Sequence, residues 1–233
     1  MQFSCRIFAP LSFCVLLVCV ALGATATPAK ELAPRILVMG DSLLASHAIS
    51  GRSVGDYLRK ITKAQVDTRP VLGARMIYKL PITGALGMSI PKQFSGDEWS
   101  WVVLNGGGND LWLGCGCNRC ARKLERLISA DGRRGAIPSL VGRIRKTGAK
   151  VIYVGYLRSP GFDSPIENCR DEGDALEARI AKLAELDPGV TFQTLTDLIP
   201  EGDLSFHAAD RIHPSLKASK AIAARIAQII TDR

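Results

Sequence analysis

The sequence predicts one α/β domain, a three-layer sandwich in which a five-stranded parallel sheet carries helices on both faces. Two observations predict it. Five short aliphatic and β-branched runs recur along the chain, apolar without polar alternation, which is how strands buried on both faces read. Between them lie segments whose apolar residues recur at helical spacing, the stripe of a helix packed on a sheet. Composition fits: 233 residues, 47% hydrophobic and 22% charged, suffice for one sizeable core and exclude disordered and collagen-like classes.

The elements follow in order. Residues 35–39 (RILVM) form a buried strand stopped by Gly40. Residues 54–61 are helical, with Val54, Leu58 and Ile61 on one face. Residues 66–71 are a weaker strand, and Pro70 within it calls for a sheet edge, where a missing N–H is tolerated. Residues 101–105 (WVVLN) are the third strand. Leu124, Leu127 and Ile128 mark one helix. Ile137, Leu140, Val141 and Ile144 mark the next, at i, i+3, i+4 and i+7. Residues 151–155 are a strand, Leu176, Ile180 and Leu183 a helix, and residues 190–195 the last strand. Ile222, Ile226, Ile229 and Ile230 stripe the C-terminal helix. No internal repeat or linker divides residues 35–233.

The N-terminus reads differently. Residues 1–26 carry Arg6 as their sole charge, then an apolar run from Leu11 to Gly23, then Ala24-Thr25-Ala26. This is the order of a secretory signal peptide with a small-x-small cleavage site. The run is short for a membrane span. Cys19 follows Val18, where a lipoprotein signal places a small residue. Residues 27–34 are a linker. Cleavage after Ala26 leaves 207 residues with net charge +7, against +8 for the whole chain, and removes Cys5, Cys14 and Cys19. The expected location is periplasmic or secreted, and the even set Cys115, Cys117, Cys120 and Cys169 then favours disulfides.

In a parallel α/β sheet, ligands bind at the carboxyl ends of the strands. There the first strand ends in Gly40-Asp41-Ser42-Leu43, and the third in Asn105-Gly106-Gly107-Gly108-Asn109-Asp110. The last strand is followed, after a loop, by Asp210-Arg211-Ile212-His213-Pro214. Acyl transfer needs this set: a serine nucleophile, a histidine to take and return its proton, and a carboxylate to hold the imidazole tautomer. Pro214 suits the first position of the helix that follows.

GDSL near the start, G-x-N-D after the third strand and D-x-x-H before the last helix, in that order, resemble the GDSL or SGNH hydrolases. The resemblance extends from Arg35 to the end. It implies a flavodoxin-like strand order 2-1-3-4-5, Ser42 as nucleophile, and Asp210 and His213 as its triad partners. It further implies an oxyanion hole of the Ser42 N–H, the Asn109 amide and a second-block glycine. Gly73 matches that glycine, with Gly84 as the alternative; Ala74-Arg75 depart from the small polar residues common there. The implied activity is hydrolysis of carboxylic esters, small or glycan-linked, with no cofactor and no metal; a short acyl group is expected because the sequence shows no lid domain or large apolar insertion. An O-acyltransferase or glycan deacetylase is the alternative, and a non-catalytic binding module is disfavoured by the intact set.

Other residues read more plainly. Asp41 and Asp110 suit turn carboxylates. His47 suits a surface or pocket-rim position, and His207 lacks an aspartate three residues before it. The triple glycine lacks the Gly-Lys-Ser/Thr of a phosphate loop. Trp99 and Trp101 suit packing, whereas Arg75 and Trp112 could meet substrate. Arg119, Arg122, Lys123, Arg126, Arg133 and Arg134 form a basic stretch that suits a solvated helix face or contact with an anionic envelope surface. Nucleic acid is not an expected partner. The Cys-x-Cys spacing is atypical for structural zinc. Bridging Cys115 to Cys117 would close a strained small ring. Two pairings remain: Cys115–Cys169 with Cys117–Cys120, or Cys117–Cys169 with Cys115–Cys120.

Overall fold

The computed structural model describes residues 1–2, 33–96, 98–161, 163–200 and 202–232. The leader expected at 1–26 falls, beyond its first two residues, outside them. Within Ala33–Arg233 the strands are β1 (Arg35–Met39), β2 (Gln65–Thr68), β3 (Trp101–Leu104), β4 (Lys150–Val154) and β5 (Val190–Gln193). All pairs are parallel, in the order β2-β1-β3-β4-β5.

Three strands are shorter than their sequence runs, β3 by one residue, ending at Leu104, and β2 and β5 by more. β2 ends at Thr68 rather than at residue 71, yet Arg69 N–H still donates to Val38 O at 2.9 Å and Val71 N–H to Gly40 O at 3.1 Å. Pro70 falls between these two rungs on an edge strand, so no ladder bond needs its missing N–H. β5 ends at Gln193, where Gly155 N–H donates to its carbonyl at 2.9 Å.

The period-two alternation of strand side chains sorts residues into two cores. Leu37, Met39, Val102, Leu104, Val151 and Tyr153 pack under the helices Ala136–Arg145 and Arg170–Leu186, against Leu140, Ile144, Leu176 and Ile180. Ile36, Val38, Val103, Ile152 and Val154 pack on the other face against Leu58, Ile222 and Ile226 of the helices Val54–Thr62 and Leu216–Thr231. Each such fully buried side chain contributes about 1.5–3 kcal/mol.

Local signals set the helix starts. Ser53 and Asp56 form a capping box before Val54, and the Ser215 side chain accepts from Ala218 N–H. Ser215 as cap moves Pro214 out of the first helical position expected for it. Pro214 instead pairs with His207 in an isolated antiparallel bridge, which fixes the end of the Asp210–His213 loop.

Candidate active site

The site begins where β1 stops. Gly40 has φ +146°, and a Cβ there would lie 2.0 Å from Asn105 Oδ1, so only glycine permits the close approach of the β1 and β3 ends. Gln93 clamps Gly40 from the side: its Oε1 accepts from Gly40 N–H at 2.7 Å and its Nε2 donates to Gly40 O at 2.9 Å.

Asp41 then caps the short helix Ser42–Ala45, with Oδ1 accepting from Leu43 N–H at 3.0 Å. Asn105 Nδ2 donates to the same oxygen at 2.9 Å, and the Tyr156 hydroxyl donates to Oδ2 at 2.5 Å. Burial pushes the Asp41 carboxyl above the ordinary range, against the pull of the Tyr156 and Asn105 hydrogen bonds. Asp41 thus holds the Ser42 turn, as a turn carboxylate should. Ser42, first in its helix, keeps its N–H and its hydroxyl free of hydrogen bonds among the described residues.

The histidine loop comes from the far end of the chain. Asp210 Oδ2 lies 2.6 Å from His213 Nδ1, while Oδ1 accepts from the N–H groups of Ile212 and His213, each at 3.0 Å. Partial burial would raise the Asp210 pKa, but these His213 and Ile212 bonds outweigh it and hold the carboxyl at about 2. His47, in left-handed backbone, donates from Nε2 to Pro214 O at 2.9 Å and so pins the loop to the segment after Ser42. Ser42 and His213 line one cleft, with no direct hydrogen bond between them among the described residues. A nucleophile–base bond is often long in a free enzyme and tightens when substrate binds.

Asn109 lines the same cleft, and its Nδ2 donates to Ala74 O at 3.1 Å, leaving its other amide hydrogen available. Asp110 beside it is buried and accepts from Met76 N–H at 2.8 Å and Ile77 N–H at 2.9 Å. Burial raises its pKa to about 6, against the pull of those N–H bonds, Lys123 and Arg75. Asn109 and Asp110 together dock the second-block loop. Gly73 takes φ +73° there, and its N–H has no partner among the described residues. The Gly84 N–H is already taken by Leu80 O at 3.0 Å, which separates the two glycine candidates.

The glycines of 106–108 serve packing. A Cβ on Gly106 would meet Ile90 and Met76, one on Gly107 Leu176, and one on Gly108 the Tyr156 ring. Trp112 lines the cleft. Arg75 does not: its guanidinium lies 5.6 Å from the Tyr78 ring centroid, beside Lys123 and Arg126. Trp99 and Trp101 are buried packing residues, and His207 is buried with both ring nitrogens unpartnered among the described residues.

The cysteines pair as Cys115–Cys120 and Cys117–Cys169, the second of the two expected pairings. Among the described residues no cluster of His, Cys, Asp or Glu could hold a metal. The Cys117–Cys169 bond spans 52 residues and ties the turn after Asn109's helix to the start of the helix Arg170–Leu186. A cross-link closing such a loop is worth about 4 kcal/mol by chain entropy. Cys169 also lines the cleft, so reduction is expected to depress turnover in less denaturant than unfolds the sheet. Parallel urea titrations of activity and circular dichroism, with and without reductant, check this; coincident transitions would contradict it.

Leu111, Trp112, Leu157, Ile166, Leu176 and Ile212 give the cleft an apolar wall, and with its open mouth it encloses about 890 Å³. A hydroxyl, a carboxylate-oriented imidazole and a side-chain amide on one apolar cleft are parts that acyl transfer uses.

Comparison with known proteins agrees with this fold. The structure resembles a candidate SGNH hydrolase from Slackia heliotrinireducens, at 20% identity and TM-score 0.60, covering 85% of this chain and 99% of that one. A GDSL-like lipase from Bacteroides thetaiotaomicron matches at 18% identity and TM-score 0.60, covering 85% and 88%. A family two carbohydrate esterase from Clostridium thermocellum, solved in complex with cellohexaose, matches at 19% and 0.53, covering 88% and 65%. A search of curated protein sequences finds no match. The family model of the GDSL-like lipases and acylhydrolases matches residues 38–221, which include the serine turn, the asparagine block and the histidine loop, and the chain therefore belongs to that family of ester-cleaving hydrolases.

Proposed function

We propose that this protein is an exported serine esterase, made with a leader cleaved after Ala26 and a catalytic domain over residues 35–233, that hydrolyses short-acyl carboxylic esters through an acyl-enzyme on Ser42. The observation that carries this reading is the 2.6 Å contact of His213 Nδ1 with Asp210 on a loop that shares its cleft with Ser42 and Asn109. His213 Nε2 takes the Ser42 proton as Oγ attacks the carbonyl carbon. Asp210 steadies the imidazolium so formed. The oxyanion meets the Ser42 N–H, the Gly73 N–H and the free Asn109 amide hydrogen. Collapse expels the alcohol, which takes the proton from His213; water repeats the sequence and frees the acid.

A panel of p-nitrophenyl esters of increasing acyl length tests the reading. Turnover should be highest for short acyl groups, since no lid domain covers the cleft among the described residues. Failure to hydrolyse any member would reject it. Asn109→Ala should lower kcat by about 100- to 1000-fold with little change in KM, because the amide meets charge that exists only in the transition state. An unchanged kcat with raised KM would instead make Asn109 a binding residue.

A second reading, acyl transfer to or from an envelope glycan, draws on Arg158, Ser159 and Arg170 in the cleft lining, polar groups able to hold sugar hydroxyls. Adding acetylated and free oligosaccharides to the ester assay separates the two. Acyl-sugar product at the expense of free acid would favour transfer.

A further inference from the structure

Between β2 and β3 the chain builds a surface that the catalytic reading leaves unused. Leu72, Leu80, Ile82 and Leu86 are 61%, 62%, 76% and 75% exposed. A soluble chain gains nothing by presenting four large aliphatics within fifteen residues, whereas scattered single ones need no explanation.

The four form one patch. Residues 81–88 are helical turns, so Ile82 and Leu86 stand one turn apart on the same side, with Leu80 just before them. Leu72 joins from the other strand of the loop, because Val71 packs so closely on Gly87 that a Cβ there would lie 2.6 Å from Val71 Cγ2. The turns are fixed in place: Tyr78 OH meets Thr83 Oγ1 at 2.9 Å, and Arg75 N–H donates to Met88 O at 3.0 Å. Hydrophobic residues are therefore held outward on a supported platform.

The charges that the segment itself carries are of one sign. From residue 69 to residue 96 the chain contains Arg69, Arg75, Lys79 and Lys92 and no Asp or Glu. Arg69 is paired with Asp67, but Arg75, Lys79, Leu80, Lys123 and Arg126 gather in one surface hollow. Glu125, the nearest acid on the neighbouring helix, is engaged by Arg179 at 2.9 Å. A second copy of this chain would bring like charges together. Aliphatic side chains ringed by cations match a bilayer with anionic headgroups, whose phosphates attract the cations while the acyl region takes up the leucines and isoleucine.

We propose that the segment from Leu72 to Lys92 is a peripheral docking surface for an anionic lipid bilayer. Binding is reversible and requires both components, the aliphatic platform and the cationic rim. The surface lies on the loop that Asn109 and Asp110 dock, so the adsorbed enzyme would present its cleft near the lipid surface. The inference rests on exposure and charge and stands whether or not Ser42 is the nucleophile.

The test is flotation of the exported, leader-free protein with vesicles of phosphatidylglycerol and phosphatidylcholine in equal parts, and with pure phosphatidylcholine. Wild-type protein should float with the anionic vesicles, less so as salt rises, and at least tenfold less with the neutral ones. The triple variant Leu80→Ser, Ile82→Ser, Leu86→Ser and the charge variant Lys79→Glu, Lys92→Glu should each weaken binding tenfold or more. All these residues are exposed, and circular dichroism with turnover of a soluble ester confirms that each variant is folded. Ile49→Ser, a fully exposed aliphatic away from the patch, should bind as wild type. The proposal is overturned if wild type fails to float with anionic vesicles, if the triple variant binds equally, or if the patch instead mediates a concentration-dependent dimer that the same variant abolishes. Absence of esterase activity with intact flotation would count against the catalytic reading alone.

Discussion

Ser42→Ala is expected to lower kcat on a soluble ester by about four to six orders of magnitude while leaving the fold and its stability unchanged. The first half follows from chemistry: without Oγ no acyl-enzyme forms, and the remaining donors can only assist direct attack by water. The second half follows from the local structure. The Ser42 hydroxyl makes no hydrogen bond to the protein among the described residues, so its loss orphans no buried partner. The turn is held by Asp41, Asn105, Gln93 and Tyr156, none of which contacts the hydroxyl. Stability should therefore change by less than about 0.5 kcal/mol. Intact-mass spectrometry after treatment with a fluorophosphonate supplies an independent readout: wild type gains one adduct and the variant none. A folded Ser42→Ala protein that keeps more than a few per cent of wild-type turnover would remove Ser42 from the mechanism.

The contrast between residues read from the sequence and those visible only in the structure has a physical basis. Ser42 and Asn109 stand in short motifs at strand ends, which a parallel sheet gathers by topology, and Asp210 and His213 stand in a short motif on the loop before the last helix. Tyr156, Asn105 and Gln93 act through pairings that no local pattern announces. Tyr156 reaches Asp41 across 115 residues and Gln93 reaches Gly40 across 53. Asp110 belonged to a motif, but its job of holding Met76 and Ile77 depends on where the second-block loop docks. His47 was legible as a rim residue, whereas its bond to Pro214, 167 residues away, was not. Arg75 shows the converse. Proximity in sequence to Gly73 suggested the cleft, but the Arg75 side chain lies against Tyr78 and in the cationic hollow. The disulfides divide the same way: spacing excluded one pairing, and only the relative position of the two loops selected Cys117–Cys169.

His213→Gln is expected to match the loss in Ser42→Ala and also to abolish the acid limb of the pH–rate profile. Wild-type activity should fall as pH drops, because a protonated imidazole cannot accept the Ser42 proton. Asp210 cannot produce that limb. The bonds from His213 and Ile212 hold its carboxyl at about 2, so it stays ionised throughout the working range. The depressed value means that Asp210 favours the folded state above its unfolded pKa and loses that contribution only as pH falls toward 2. Two other histidines serve as controls. His47→Ala removes the donor to Pro214 O, so the loop should be less well placed and kcat lower, with the acid limb retained. His207 is 7% exposed, its ring nitrogens make no hydrogen bond among the described residues, and burial lowers its pKa, disfavouring the charged form. His207→Gln should therefore change stability more than mechanism and keep the limb. Gln at 213 retains a side-chain amide that can face Asp210 but has no basic nitrogen to take a proton, which makes the comparison one of chemistry rather than of shape. Stopped-flow profiles of all four proteins from pH 5 to 9 decide the assignment: if the limb survives in a folded His213→Gln protein, or disappears in His207→Gln, another residue is the base.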